Sequence, residues 1–84
     1  MTAVQAEIDE YPLDLAASVL SIAPSTLRVW ARKIRKAKLS NFDHKAGERI
    51  ITAESMAVYF KYKALLDRGY SLDKAANRLR IYGA

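Results

Sequence analysis

Residues 24–38 read PSTLRVWARKIRKAK, and the reading of this stretch decides the fold. Pro24 suits the first position of a helix, where its missing N–H costs nothing. Leu27, Trp30 and Ile34 recur at steps of three and four, which places them on one face of that helix. Arg28, Arg32, Lys33, Arg35, Lys36 and Lys38 lie between and after them, with no acidic residue in the run. A helix with one apolar stripe and a cationic remainder suits a surface of regularly spaced negative charge. Double-stranded nucleic acid is the commonest such surface.

Toward the N-terminus, Ser21-Ile22-Ala23 reads as a tight turn. A first helix is expected over residues 14–20, with Leu13, Ala16, Ala17 and Leu20 spaced for one buried face. Ala23 is a poor cap for the second helix, and Ser25 or Thr26 is the partial substitute at its start. Tyr11-Pro12 marks an extended start to the folded part, because proline disfavours helix at the residue before it. Residues 1–10 read as an acidic, flexible tail and residues 11–84 as the domain.

Toward the C-terminus, KLSNF (38–42) and ERII (48–51) flank Asp43-His44-Lys45-Ala46-Gly47, the pattern of two short strands around a glycine-containing turn. Thr52 then caps a third helix, with Glu54 in the first turn where a carboxylate suits the helix dipole. That helix is expected to run to about Arg68, with Met56, Tyr59, Phe60 and Leu66 as core together with Tyr62 or Leu65. Gly69 ends it. Ser71 caps a short fourth helix carrying Leu72, Ala75, Ala76 and Leu79. The expected fold class is mainly α: four short helices with a small two-stranded β-hairpin wing, the order of a winged helix-turn-helix.

The net charge of the 84 residues is +5, and its placement matters more than its size. Residues 1–14 carry Glu7, Asp9, Glu10 and Asp14 and no cation. Residues 28–49 carry eight cations against Asp43 and Glu48. The positive charge therefore sits in the middle of the chain, as a docking face requires. There is no cysteine, which excludes a disulfide framework and a thiolate metal site. No apolar run reaches bilayer length, and the N-terminus is acidic where a signal peptide is basic. The expectation is a soluble, cytoplasmic chain associated with the nucleoid.

Arg28 and Arg32 are one turn apart, and with Ser25 and Thr26 they are the candidates for base-edge contacts, since the guanidinium fork matches the two acceptors of guanine. Lys33, Lys36 and Lys38 suit phosphates, which hold register without reading sequence. On the hairpin, His44, Lys45 and Arg49 form a cationic tip for the backbone or minor groove. Arg49 serves equally as a salt-bridge partner to the body of the domain. His44 is read as a solvent-exposed loop residue; as the only histidine, with no cysteine beside it, it makes no metal site. Tyr11, at the start of the first helix, is a further phosphate candidate. Trp30, Tyr59, Phe60, Tyr62 and Tyr70 read as core rather than as base-stacking rings. With no thiol, no glycine-rich phosphate loop and its acidic cluster in a tail, the chain is read as a non-enzyme without cofactor.

Three stretches resemble the DNA-binding domain of MerR-type regulators, over residues 11–79. Tyr11 to Arg32 (YPLDLAASVLSIAPSTLRVWAR) is similar to that family's opening, including the Pro-x-Thr-Leu-Arg start of its recognition helix. Gly47 to Thr52 (GERIIT) resembles its wing signature, and Gly69-Tyr70-Ser71-Leu72 the link before its last helix. Val29-Trp30 stands where the family often has two tyrosines, and the stretch between recognition helix and wing is longer and lacks the usual glycine. The 84 residues hold no counterpart of the long pairing helix or effector domain that members typically carry. The resemblance thus implies sequence-specific binding of double-stranded DNA and transcriptional regulation, without metal, drug or redox sensing. A homodimer or a cooperative assembly on DNA is the expected working form, with no membrane and no small-molecule effector. The alternative uses of the same surface are a DNA-architectural, excisionase-like or segregation factor; a protein-interaction module, with Tyr82 and the last helix contributing, is the reading from another class.

Overall fold

The extended backbone that Pro12 imposes on Tyr11 is used as a strand. The computed structural model describes residues 10–82, ordered as β1 (Glu10–Pro12), α1 (Leu13–Val19), α2 (Pro24–Lys36), β2 (Ile50–Thr52), α3 (Ala53–Asp67) and α4 (Leu72–Tyr82). The fold class is the expected one: mainly α, with four helices and one two-stranded antiparallel sheet, compatible with a small winged-helix-like fold. Of the expected acidic tail, residues 1–9 lie outside the described residues, while Glu10 belongs to β1.

The sheet is built differently from the expected hairpin. β2 pairs with β1, Glu10 facing Thr52, Tyr11 facing Ile51 and Pro12 facing Ile50. KLSNF forms no strand. Its backbone is committed elsewhere: Ala37 and Phe42 are buried, Lys38 turns at φ 58°, and the Asp43 N–H donates to Ser55 Oγ at 3.1 Å. Tyr11, already extended, takes the place beside β2. The Leu13 N–H donates to the Arg49 carbonyl at 2.7 Å, so the start of α1 is tied to the same point.

The helix ends follow local chemistry. α1 closes with the Ser21 N–H on the Ser18 carbonyl and the Ile22 N–H on the Ala17 carbonyl, both near 3 Å. This is the paired closure usually made by a left-handed glycine, here made by Ser21 at φ 60°. α3 ends the same way with glycine: Gly69 at φ 104° donates to Leu66 and Tyr70 to Leu65. Thr52 Oγ1 accepts from the Ser55 N–H at 3.2 Å to cap α3, and Ser71 Oγ accepts from the Lys74 N–H at 3.2 Å at the start of α4.

The core joins Leu13, Ala16, Ala17 and Leu20 to Leu27, Trp30, Ala31 and Ile34 of α2, to Met56, Val58, Tyr59 and Tyr62 of α3, and to Ala75, Ala76 and Leu79 of α4. Trp30 and Tyr62 meet edge to face at 5.3 Å. The Tyr62 hydroxyl donates to the Leu72 carbonyl at 2.8 Å, linking α3 to α4. Phe60, expected in the core, is 47% exposed, and Val58 is buried instead. One residue along a helix is a rotation of about 100°. With Tyr59 turned inward, Phe60 is carried outward. Leu65, Leu66 and Tyr70 are half-buried around the core, and the Arg78 guanidinium lies 5.1 Å from the centre of the Tyr70 ring.

Candidate nucleic-acid interface

α2 starts on Ala23, whose side chain caps nothing, so packing must hold the helix in place. Leu27, Trp30, Ala31 and Ile34 are all buried and fix its rotation. Ser25, Val29, Arg32 and Lys36 step by four, three and four and form one outward stripe opposite that face. All four are exposed. Thr26 is half-buried beside them.

The flanks of the helix differ. Arg28 lines a cleft with Arg49, Ile50, Pro12, Leu13 and Asp14, so the second helix and the strand signature meet at one place. Arg35 lines another with Lys38, Leu39 and Phe42. On the opposite flank, Lys33 Nζ sits 3.1 Å from Asp73 Oδ1 of α4. Lys33, a phosphate candidate on sequence, therefore shares its charge with Asp73 within the fold. An exposed pair of this kind contributes about 0–1 kcal/mol, so it is a weak tie.

Among the described residues, the ion pairs are Lys33–Asp73 and Lys63–Asp67. Arg28, Arg32, Arg35, Lys36, Lys38, Lys45 and Arg49 have no acid partner among them, and all seven are exposed. Arg49 thus forms no salt bridge to the body of the domain, although its carbonyl anchors α1. Tyr11 is half-buried and packs against the core from β1.

His44 is the clearest correction. It is 1% exposed, not a loop-tip residue. Its Nδ1 lies 2.6 Å from the Tyr59 hydroxyl and its Nε2 2.9 Å from the Glu48 carbonyl. A carbonyl only accepts, so Nε2 carries the proton and donates to it. Burial pushes the Tyr59 hydroxyl well above its ordinary pKa, so it stays protonated and donates to Nδ1. Both ring nitrogens are used within the fold. Phe42 and Tyr59 pack edge to face at 5.2 Å beside it.

Asp43 completes the anchorage. Its Oδ1 accepts from Ser55 Oγ at 2.7 Å and from Thr52 Oγ1 at 3.1 Å. The Ser55 hydrogen bond is the main cause that holds the Asp43 carboxyl below its ordinary pKa, opposed by partial desolvation and helped by Thr52. The loop from Phe42 to Glu48 is therefore strapped to α3, and it presents Lys45 outward from a fixed base. The Lys45 N–H donates to Glu48 Oε1 at 2.9 Å, which tightens the turn.

Sequence periodicity placed α2 and its inner face but left Arg35 and Val29 without a role. The helix rotation that supplies one comes from the buried residues. The Asp43–Ser55 and His44–Tyr59 ties span 12 and 15 residues, beyond the reach of any local pattern. Compared with protein-family models, with curated proteins and with solved structures, the chain gives no significant match to any of them.

Proposed function

We propose that the chain is a sequence-specific double-stranded DNA-binding protein acting in transcriptional regulation. α2 lies in the major groove, and Lys45 and Arg49 reach the adjacent backbone or minor groove. One observation carries this reading: seven exposed cations gather on α2 and the loop after it, and among the described residues none of the seven has an acid partner. Unpaired like charges repel one another and are neutralised best by a polyanion. The resemblance of residues 11–79 to MerR-type DNA-binding domains supports the same reading.

A module of this size buries only about 600–1,000 Å² on DNA. Useful occupancy then calls for two copies on paired half-sites or cooperative neighbours. The test is titration of fluorescent duplex DNA over a range of salt. Six phosphate contacts give a log–log slope of about −5. A slope near zero, or no binding at low salt, refutes the proposal and favours a protein-interaction module.

A further inference from the structure

Resting on the DNA reading above, we infer that Val29 reads the C5-methyl group of a thymine in the major groove. The outward stripe of α2 is Ser25, Val29, Arg32 and Lys36, and Val29 is its one apolar member. Its side chain is 38% exposed and lies outside the buried core cluster. Helix formation does not explain it either, because a β-branched residue at an exposed helical position is a poorer choice than alanine. Cations surround it: Arg28 precedes it, and Arg32 and Lys33 follow one turn on.

The two flanking cations lie to either side of the stripe. Lys33 turns to Asp73, and Arg28 lines the cleft with Arg49. Val29 thus lies on the outward stripe between Ser25 and Arg32. Phosphates and the major-groove edges of guanine and adenine present chiefly polar atoms, which contact with an isopropyl group would leave without partners, and cytosine adds only a C5–H. Thymine alone presents a methyl group there. The single preferred χ1 of valine in a helix fixes its methyl groups before binding. Val29 and Arg32 are separated by about 4.5 Å along the helix axis. With base pairs spaced about 3.4 Å apart, the thymine falls roughly one or two base pairs from the guanine read by Arg32.

The experiment uses the full chain and the duplex it selects from a random pool. Each thymine is replaced in turn by deoxyuridine, which removes the methyl group and nothing else. At one position the affinity falls about fourfold, the value of one buried methyl group; the other positions do not respond. Val29→Ala binds the parent duplex more weakly by a similar factor and loses the response to deoxyuridine. Circular dichroism and a thermal melt confirm that the variant is folded. The inference is overturned if no thymine responds, or if Val29→Ala responds as strongly as the parent chain. A chain that selects no duplex at all refutes the DNA reading itself, and this inference with it.

Discussion

Replacing His44 by alanine tests the anchored loop most directly. The ring is 1% exposed, and its removal strands the hydroxyl of Tyr59, itself fully buried. An unsatisfied buried hydroxyl costs roughly 1–3 kcal/mol, and the space left by the ring adds a cavity term. The total is about 3 kcal/mol, a large share of the stability of a chain this small. At 4–8 °C per kcal/mol for a domain of this length, the melting temperature falls by roughly 12–24 °C. Thermal and urea melts followed by circular dichroism read this out. The double variant with Tyr59→Phe removes the stranded hydroxyl as well, so its loss is smaller than the sum of the two single losses. Strict additivity, or a melting temperature within a few degrees of the parent, refutes the His44–Tyr59 tie. If the histidine instead faced DNA, His44→Ala would weaken binding and leave the melt unchanged.

Three further outcomes are expected. Ser21→Gly relieves a left-handed backbone at φ 60° and raises stability by about 1 kcal/mol, seen as a higher melting temperature. Asp43 has a folded pKa below its ordinary value of 3.8, so its contribution is complete above that value and is lost as pH falls through the lowered one. Asp43→Asn therefore gives a smaller difference between urea melts at neutral pH and at acid pH below 3.8 than the parent shows. Lys36→Ala weakens binding to all duplexes alike and flattens the salt slope by about 1, whereas Lys33→Ala, whose charge is shared with Asp73, changes it less.

Most of the helical scaffold was legible because its signals are local. Pro24 marks the start of α2, the spacing of Leu27, Trp30 and Ile34 gives its buried face, and Thr52, Gly69 and Ser71 punctuate α3 and α4. Phe60 was misplaced because Tyr59 and Phe60 are adjacent large rings, and local pattern does not choose which one faces inward. The strand partner of Ile51 was missed because Tyr11 is distant in sequence, while KLSNF lay close by and had a strand-like composition. His44 was misread for a related reason. A lone histidine in a polar loop is burial-neutral until Tyr59 and the Glu48 carbonyl are brought to it from α3 and the turn. On the candidate interface, the cations were visible as residue types, but the split between stripe and flanks needed the rotation of α2 and the position of Asp73.

The pairing of Tyr11 with Ile51 has a kinetic consequence. It closes a loop of about 40 residues, for which the length-dependent entropy alone is about 3 kcal/mol. Three residues a side offset little of that by themselves, so the clasp depends on packing Ile51 and Leu13 into the core. During synthesis the clasp waits until Thr52 has left the ribosome. The expected outcome in the finished protein is that the backbone amides of Tyr11 and Ile51 exchange with solvent faster than those of Ile34 or Tyr59, as hydrogen exchange would show.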